Sequence, residues 1–206
     1  KIVISKFNIT TIKIENNSLL QKKDIKQLLL PIYNKNLIFL KNKEIEEALM
    51  QNSFVESFII KKIYPNTLKI KIFEKKPIAI LLNKKNKFYL SEKIDLIKFI
   101  NLKNYKNLPY VIGNKDDFKI FYDDLKMINF PIDKIKKYIL YEANRWDIET
   151  TDKKIIKLPN KDYIESLQSY LDLKKKSEFK KYDVFDYRIN NQLILNEFPL
   201  EIKHIL

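Results

Sequence analysis

The spacing of apolar residues in the first third of the chain predicts the element order strand, helix, helix, strand, strand. Residues 7–15 are rich in Ile and Thr, as strands are, but their apolar positions change face midway, so we expect a β-bulge at 10–11. Apolar residues at positions 25, 28, 29 and 32 have the spacing of one amphipathic helix. A second short helix is predicted around residues 45–49, with Asn42 as its N-cap.

Two strands are predicted to follow these helices. Residues 54–63 are apolar enough for a well-buried strand. Leu68, Ile70 and Ile72 alternate with lysines, which is the period of a half-buried strand. Pro65 lies in the segment between the two strands and favours a tight turn there.

After residue 76 the pattern changes to short apolar strands separated by polar connections. Strands are predicted at 77–82, 88–90, 138–150 and 155–158, and helices at 116–129 and 160–171. Asn160 is the expected cap of the second of these helices, and Trp146 is expected in the core. A final hairpin is predicted from strands at 182–189 and 193–195, joined across 190–191 by two asparagines that tolerate positive φ.

These elements predict an α+β fold class with two domains. Residues 1–76 would form a β-α-α-β-β domain. Residues 77–206 would form a mostly antiparallel β domain with two or more helices and a C-terminal edge hairpin. A chain of 206 residues with 45% hydrophobic residues has enough apolar material for both cores.

Composition excludes several classes of functional site. Gly113 is the only glycine, so the glycine-rich loops of P-loop and Rossmann proteins cannot form. The absence of cysteine excludes disulfides, zinc–cysteine sites and thiol nucleophiles. The only histidine, His204, lies close to the C-terminus, and no serine or carboxylate is evidently paired with it. We therefore expect no enzyme activity, no metal site and no cofactor.

The formal net charge of +14 is a property that nucleic-acid-binding and membrane-binding proteins share. The lysines are spread along the chain, and the abundance of Lys, Asn and Ile is typical of an AT-rich genome. Arg145 and Arg188 are the only arginines, whereas nucleic-acid readers use arginine heavily. We expect no nucleic-acid partner, and a nucleic-acid-binding protein stays open as an alternative.

Local strings in the first domain occur in a recognisable order. They are Phe-Asn-Ile-Thr-Thr-Ile-Lys-Ile-Glu-Asn at 7–16, Asn-Leu-Ile-Phe-Leu at 36–40, Tyr-Pro-Asn-Thr-Leu at 64–68 and Phe-Glu-Lys-Lys-Pro-Ile-Ala at 73–79. Together they resemble the POTRA domain of the bacterial FtsQ/DivIB cell-division family. In that family, similar strings form the opening strand, the link between the helices, the turn between strands two and three, and the exit from the domain.

Three further strings extend this resemblance through the second domain. They are Leu-Pro-Tyr-Val-Ile-Gly at 108–113, Arg-Trp-Asp-Ile at 145–148 with Lys-Leu at 157–158, and Phe-Asp-Tyr-Arg-Ile at 185–189. The chain departs from the family where glycine is usual. It has two asparagines at 16–17 and Ser-Glu-Lys at 91–93, and its final hairpin also lacks glycine.

The resemblance implies a non-enzymatic scaffold of the divisome. It implies that FtsB- and FtsL-type proteins are recruited at the end of the second domain, and that other divisome members bind through the POTRA domain. An edge strand can accept a strand from a partner, with main-chain hydrogen bonds supplying affinity. The residues expected to form this edge are Tyr187, Ile189, Leu193, Ile194, Leu195 and Phe198. Packing of the same apolar residues beneath residues 200–206 is the open alternative.

The resemblance also implies a location. It implies a single-pass protein of the bacterial inner membrane, with this chain on the periplasmic side at the septum. No apolar run approaches the roughly 20 residues that a spanning helix needs. The sequence begins with Lys1 rather than Met, so we expect a fragment whose anchor lies upstream. A POTRA-containing module of an outer-membrane assembly or secretion system is the alternative.

Overall fold

The computed structural model describes residues 5–83, 86–189 and 192–197. The described chain divides into two compact units. The first extends to Lys76 and also includes Leu96–Lys98, and the second begins at Pro77 and contains the remaining residues. Both units combine helices with a sheet, so the predicted α+β fold class is confirmed.

The first unit has the predicted order of strand, helix, helix, strand, strand. Its elements are β1 (Thr11–Glu15), α1 (Lys22–Leu28), a 3₁₀ turn (Leu30–Ile32), α2 (Asn42–Leu49), β2 (Val55–Ile63) and β3 (Thr67–Glu74). β3 lies between the other two strands, parallel to β1 and antiparallel to β2. Leu68, Ile70 and Ile72 of β3 are buried, as the alternation with lysines predicts.

The bulge expected near the start of the chain takes a specific form. Ile9 and Ile12 are both buried, although an even strand would place them on opposite faces. The backbone N–H groups of Thr10 and Thr11 both donate to the carbonyl of Asn66, at 3.0 and 3.3 Å. Two consecutive residues therefore face one acceptor, which shifts the phase and brings both isoleucines into the core.

Two helix predictions in the first unit are wrong in detail. The first helix ends at Leu28 and does not continue through Ile32. Pro31 has no backbone N–H and disfavours helical geometry at the residue before it, so the chain turns into a 3₁₀ helix. The second helix begins at Asn42, and Lys41 occupies the N-cap position.

The prediction that residues 54–63 are well buried is also wrong. β2 lies at an edge of the sheet, and its side chains alternate in exposure along its length. Ile59 is 57% exposed. The alternation indicates that one face of the strand is covered and the other is at the surface.

The second unit contains the longer helices and a mixed sheet. Its elements are β4 (Pro77–Asn83), β5 (Asn86–Ser91), β7 (Tyr110–Ile112), α3 (Lys115–Met127), β8 (Ile135–Tyr141), β9 (Arg145–Thr150), β10 (Ile155–Lys157), α4 (Tyr163–Lys174), β11 (Val184–Asp186) and β12 (Ile194–Asn196); β6 (Leu96–Lys98) is grouped with the first unit. Neighbouring strands of the second unit follow the order β12-β11-β10-β9-β8-β7-β4-β5.

The sheet of the second unit combines parallel and antiparallel pairings, and helical crossovers account for two of the parallel ones. β7 and β8 are parallel and are joined by α3, and β10 and β11 are parallel and are joined by α4. Such crossovers need a dozen or more residues, which the helices supply. The pairs β4–β5, β8–β9, β9–β10 and β11–β12 are antiparallel. The predicted mostly antiparallel sheet is confirmed, with the two crossovers and a third parallel pair, β4–β7, as exceptions.

Several boundaries in the second unit differ from the prediction. Residues 138–150 were expected to form one strand, but a turn separates β8 from β9. Asn144 in this turn has a φ of 53°, a left-handed conformation that asparagine tolerates well. The last helix has Asp162, not Asn160, in its N-cap position. Residues 182–189 contribute only a three-residue strand, and the predicted link across 190–191 lies outside the described residues.

Aromatic side chains dominate the core of the second unit. Phe121 of α3 stacks on Trp146 of β9, with ring centroids 4.9 Å apart, and Trp146 is buried as predicted. Tyr170 of α4 contacts Phe185 of β11 edge-on at 5.0 Å. Gly113 follows β7 with a φ of 154°, and a Cβ there would lie 2.8 Å from the Cβ of Leu140. No larger residue fits without displacing β8.

Candidate partner-binding edge

β12 is the terminal strand of the second unit's sheet. It pairs antiparallel with β11, with Leu195 opposite Phe185 and Ile194 opposite Asp186. Within the described ranges, no strand pairs with its other side. Residues of such an edge direct half of their backbone N–H and C=O groups away from the sheet. The outer side of β12 can therefore form main-chain hydrogen bonds with another strand.

The predicted edge residues differ in how accessible they are. Tyr187 is 8% exposed and packs in the core, with its hydroxyl 3.5 Å from the Ser169 hydroxyl of α4. Ile189 is 51% exposed. Tyr187 supports the edge from beneath and offers little surface to a partner, whereas Ile189 lies open at the surface.

Leu193, Ile194 and Leu195 divide between the two faces of the sheet. Leu193 and Leu195 are half-buried and pack against the core on the helix side. Ile194 points to the opposite face and is 41% exposed. Phe198 lies outside the described residues. The structure thus brings five of the six predicted residues together around β12, with Ile189 and Ile194 as the exposed apolar ones.

A groove runs beside this edge on the helix side. Its volume is about 430 Å³. The floor includes Tyr187 and Leu193, and the N-terminal part of α4 forms one wall with Ser166 and Ser169. Asp162, Glu165 and Lys161 add charge to the rim. A side chain of a strand added to β12 on this face would meet a mixed apolar and hydroxyl-lined surface.

The opposite face of the same strands carries a row of charged residues. Lys157 of β10 lies across from Asp147 of β9 on one side and Asp186 of β11 on the other. Both aspartates are buried, at 3% and 7% exposure. Arg145 donates to Asp147 at 2.6 Å. Arg188 donates to the carboxylate of Asp186 from Nε, at 2.8 Å to Oδ1 and 3.0 Å to Oδ2, and from Nη2, at 2.6 Å to Oδ2.

The pKa values of the two aspartates shift in opposite directions. Burial raises the pKa of Asp147, and the single contact from Arg145 with the nearby Lys157 charge does not fully offset it. Burial also disfavours the charged form of Asp186, but the hydrogen bonds from the Arg188 side chain and backbone outweigh burial and lower its pKa. The difference follows from the deeper burial of Asp147 and from the larger number of hydrogen bonds that Asp186 accepts.

This charged row was not recognised as a unit from the sequence. Arg145 with Asp147 and Asp186 with Arg188 were used only as strings of a family resemblance. Residues two apart on a strand share one face, so each pair had the spacing of an intrastrand ion pair. That spacing could have predicted both pairs. The contribution of Lys157 between them depends on strand order, which the spacing does not give.

His204, the only histidine in the sequence, lies outside the described residues. In the ranges that the structure covers, His, Asp and Glu side chains form no cluster of three that could hold a metal ion. Across the same ranges, no helix combines the length and apolar character that crossing a bilayer requires.

Comparison with known proteins identifies relatives of both units. A family model described as "POTRA domain, FtsQ-type" matches residues 7–75. The cell-division protein FtsQ of Rickettsia conorii is 27% identical over 164 residues, which is 77% of this chain. FtsQ of Rickettsia typhi is 25% identical over 205 residues, covering 93% of this chain and 76% of the relative.

The match to these relatives is partial in length. The chain spans 61% of the Rickettsia conorii protein. Among solved structures, the major extracytoplasmic domain of the trans isomer of the cell-division protein DivIB from Geobacillus stearothermophilus is similar at 16% identity. That match covers 48% of this chain and 89% of the solved chain, with a TM-score of 0.34.

Proposed function

The chain belongs to the FtsQ/DivIB family of bacterial cell-division proteins, and from that premise we propose that it is a non-enzymatic divisome scaffold. In this proposal it recruits FtsB- and FtsL-type proteins at the septum. A strand of the partner adds to the outer side of β12 and extends the sheet of the second unit. Other divisome members bind through the POTRA domain at residues 7–75.

One observation carries the proposal. β12 ends the sheet, and no described strand pairs with its outer side. Natural proteins usually cover or charge such edges to avoid unwanted pairing. Here the first two residues of the strand are Ile194 and Leu195, and Ile194 is 41% exposed. An apolar edge of this kind is favoured for strand addition.

The surroundings of β12 suggest what the partner strand presents. Side chains of an added strand alternate between the two faces. On the helix side they would reach the groove beside Leu193 and Ser169. On the other side they would lie near Ile194 and the Asp186–Arg188 pair. We expect apolar residues at alternate partner positions, with polar residues at the strand ends.

The proposed location follows the family premise. The chain would lie on the periplasmic side of the inner membrane at the septum, attached through an upstream segment of a longer protein. The relatives are longer than this chain, since it spans 61% of the Rickettsia conorii protein. The anchor, like the partners, is a proposal for the whole protein.

The experiment is a binding titration with the periplasmic segments of FtsB- and FtsL-type proteins from the same organism. Two proline variants, Ile194→Pro and Leu195→Pro, are measured beside the wild type. Adjacent strand residues direct their N–H groups to opposite sides. The N–H of Tyr187 donates to the carbonyl of Lys157, and the N–H of Ile155 donates to that of Asp183, so Phe185 between them bonds towards β10. Leu195 lies opposite Phe185 and therefore directs its N–H outward. We expect Leu195→Pro, which deletes this outward donor, to weaken binding by roughly tenfold or more, whereas Ile194→Pro deletes an inward donor.

Ile194→Thr is the control for apolar surface, because it keeps the backbone N–H and shortens only an exposed apolar side chain. We expect it to lower affinity less than Leu195→Pro. Circular dichroism and thermal unfolding establish that each variant is folded. Absence of binding by the wild type, or full affinity in both folded proline variants, would exclude strand addition at β12.

A further inference from the structure

Three segments of the first unit meet at one end of it. The backbone N–H of Leu37 donates to the carbonyl of Phe7 at 2.8 Å. The Phe7 ring packs edge-on against Tyr64 with centroids 6.1 Å apart. The amino group of Lys62 donates to the carbonyl of Leu40 at 2.7 Å. The first residues of the described chain, the loop between the helices and the β2–β3 turn therefore form one surface.

Large apolar side chains of this surface are left in solvent. In the loop between the helices, Phe39 is 73% exposed and Ile38 is 46% exposed. In the β2–β3 turn, Tyr64 is 57% exposed and Ile63 is 36% exposed. These four residues, here called the loop patch, lie on loops and a strand end. Protruding loops with aromatic and aliphatic tips suit insertion into a soft interface more than docking on a flat protein.

The charge around the loop patch is predominantly positive. Residues 5–14, 33–43 and 57–67 contain seven lysines and no Asp or Glu. The lysines are Lys6, Lys13, Lys35, Lys41, Lys43, Lys61 and Lys62. Lys6 and Lys61 form no ion pair with any described residue, whereas Lys35 pairs with Glu44 outside these segments. Acidic residues border these segments at Glu15, Glu44 and Glu56, and Lys43 pairs with Glu47, so the local charge is an excess of lysine and not a complete absence of acid.

We propose that the loop patch docks on the surface of an anionic lipid bilayer. Phe39 and Ile38 enter the boundary between headgroups and acyl chains, and Tyr64 lies at headgroup level with its hydroxyl in water. The surrounding lysines contact lipid phosphates. The charge is complementary to an anionic membrane, and an apolar tip with a basic rim is the usual composition of an interfacial anchor. This proposal does not depend on strand addition at β12.

Vesicle binding of the intact chain tests the proposal. Vesicles of phosphatidylcholine alone are compared with vesicles containing about one third phosphatidylglycerol, at roughly physiological ionic strength. The double variant Phe39→Ser, Ile38→Ser is matched with Ile120→Ser, Met127→Ser, which removes residues of α3 that are 62% and 66% exposed. We expect the first double variant to weaken binding to anionic vesicles by about tenfold or more, and the second to leave it unchanged.

Two double variants with the same change in charge distinguish binding at the loop patch from attraction by the net charge of the chain. Lys6→Glu, Lys61→Glu and Lys161→Glu, Lys180→Glu change the net charge equally, and all four lysines are exposed. We expect the first pair to weaken binding by well over tenfold, since each lysine near an anionic surface contributes roughly fivefold. Equal losses in the two pairs would show binding by net charge alone and would overturn the proposal.

The absence of cysteine permits a direct measurement of insertion. Phe39→Cys and, as control, Ile120→Cys are labelled with an environment-sensitive fluorophore. We expect a blue shift on anionic vesicles for the label at position 39 and none at position 120. No shift at position 39, or a shift on adding a partner protein but not lipid, would overturn the proposal and indicate a protein-binding surface.

Discussion

Four of the described asparagines hold backbone positions with positive φ. They are Asn16 at 61°, Asn34 at 63°, Asn129 at 54° and Asn144 at 53°. Asparagine tolerates this left-handed region better than most residues with a side chain. Asn16 gains a further interaction, because its amide donates to the carbonyl of Ile72 at 2.8 Å. In this glycine-poor chain, asparagine therefore occupies turn positions with positive φ that glycine often fills in other proteins.

Lys153 occupies the same conformation without that advantage, at a φ of 64°. Its side chain is exposed, so we expect Lys153→Gly to relieve backbone strain and raise the free energy of unfolding by about 0.5–1 kcal/mol. Thermal or urea unfolding measures the change. Lys161→Gly is the control, since Lys161 is exposed but not at positive φ, and there we expect a small loss of stability. Similar losses in both variants would contradict this account.

At the scale of elements, sequence pattern predicted the first unit better than the second. The order strand, helix, helix, strand, strand follows from local periodicity, and Pro31 explains where the first helix ends. The exposure of β2 was missed because an apolar run does not reveal whether a strand lies at an edge. In the second unit, the neighbours of each strand depend on crossovers through α3 and α4, which connect residues far apart in the chain. The position of Lys157 between Asp147 and Asp186 was missed for the same reason, because it depends on which strands are neighbours.

Glu74 joins two elements of the first unit. It ends β3, and its carboxylate accepts hydrogen bonds from the Ser18 hydroxyl at 2.6 Å and from the backbone N–H groups of Ser18, Leu19 and Leu20. Partial burial alone would raise its pKa, but these hydrogen bonds together lower it below the ordinary value of 4.5. The contribution of Glu74 to stability is therefore present above about pH 4.5 and lost as pH falls through the lowered pKa.

We expect Glu74→Gln to lower the free energy of unfolding at pH 7 by about 1–3 kcal/mol, because an amide oxygen replaces four accepted bonds poorly. The difference from wild type should shrink as the pH falls from about 5 towards 3. Unfolding curves over this pH range measure it. A difference that stays constant or grows in acid would contradict the assigned role. Glu92→Gln, at an exposed carboxylate, is the control that should show no such trend.

Asp186 and Arg188 lie beside the proposed partner-binding edge, since Asp186 of β11 is opposite Ile194 of β12. The side chain of Asp186 is 9% exposed and that of Arg188 is 45% exposed. We expect Arg188→Ala to cost about 1–3 kcal/mol, since it removes the guanidinium donors from a buried carboxylate and leaves only the bond from the backbone N–H of residue 188. In a double-mutant cycle with Asp186→Asn, the second substitution should cost much less once Arg188 is absent. Additive losses would show that the two side chains act independently.

At the scale of the whole molecule, the roles of charged and apolar residues depend on where the fold places them. The net charge of +14 is not evenly balanced, because residues 5–14, 33–43 and 57–67 contain no acidic residue. From the sequence, the lysines were expected to reflect genome composition and not a binding site. The excess of lysine at the loop patch depends on the fold, which brings the three segments together. The apolar residues near the C-terminus were recognised as an edge from sequence, but their division between two faces required the register of β11 and β12.

The central claim is that a partner adds a strand to β12, and backbone amide exchange tests it most directly. Hydrogen–deuterium exchange is measured on the chain alone and in complex with the FtsB-type segment. We predict slower exchange at Ile194–Asn196 in the complex, because outward N–H groups become hydrogen-bonded. We expect little change in β5, which lies far from β12 in the strand order. Bound partner with unchanged exchange in β12, or protection confined to another surface, would contradict the claim.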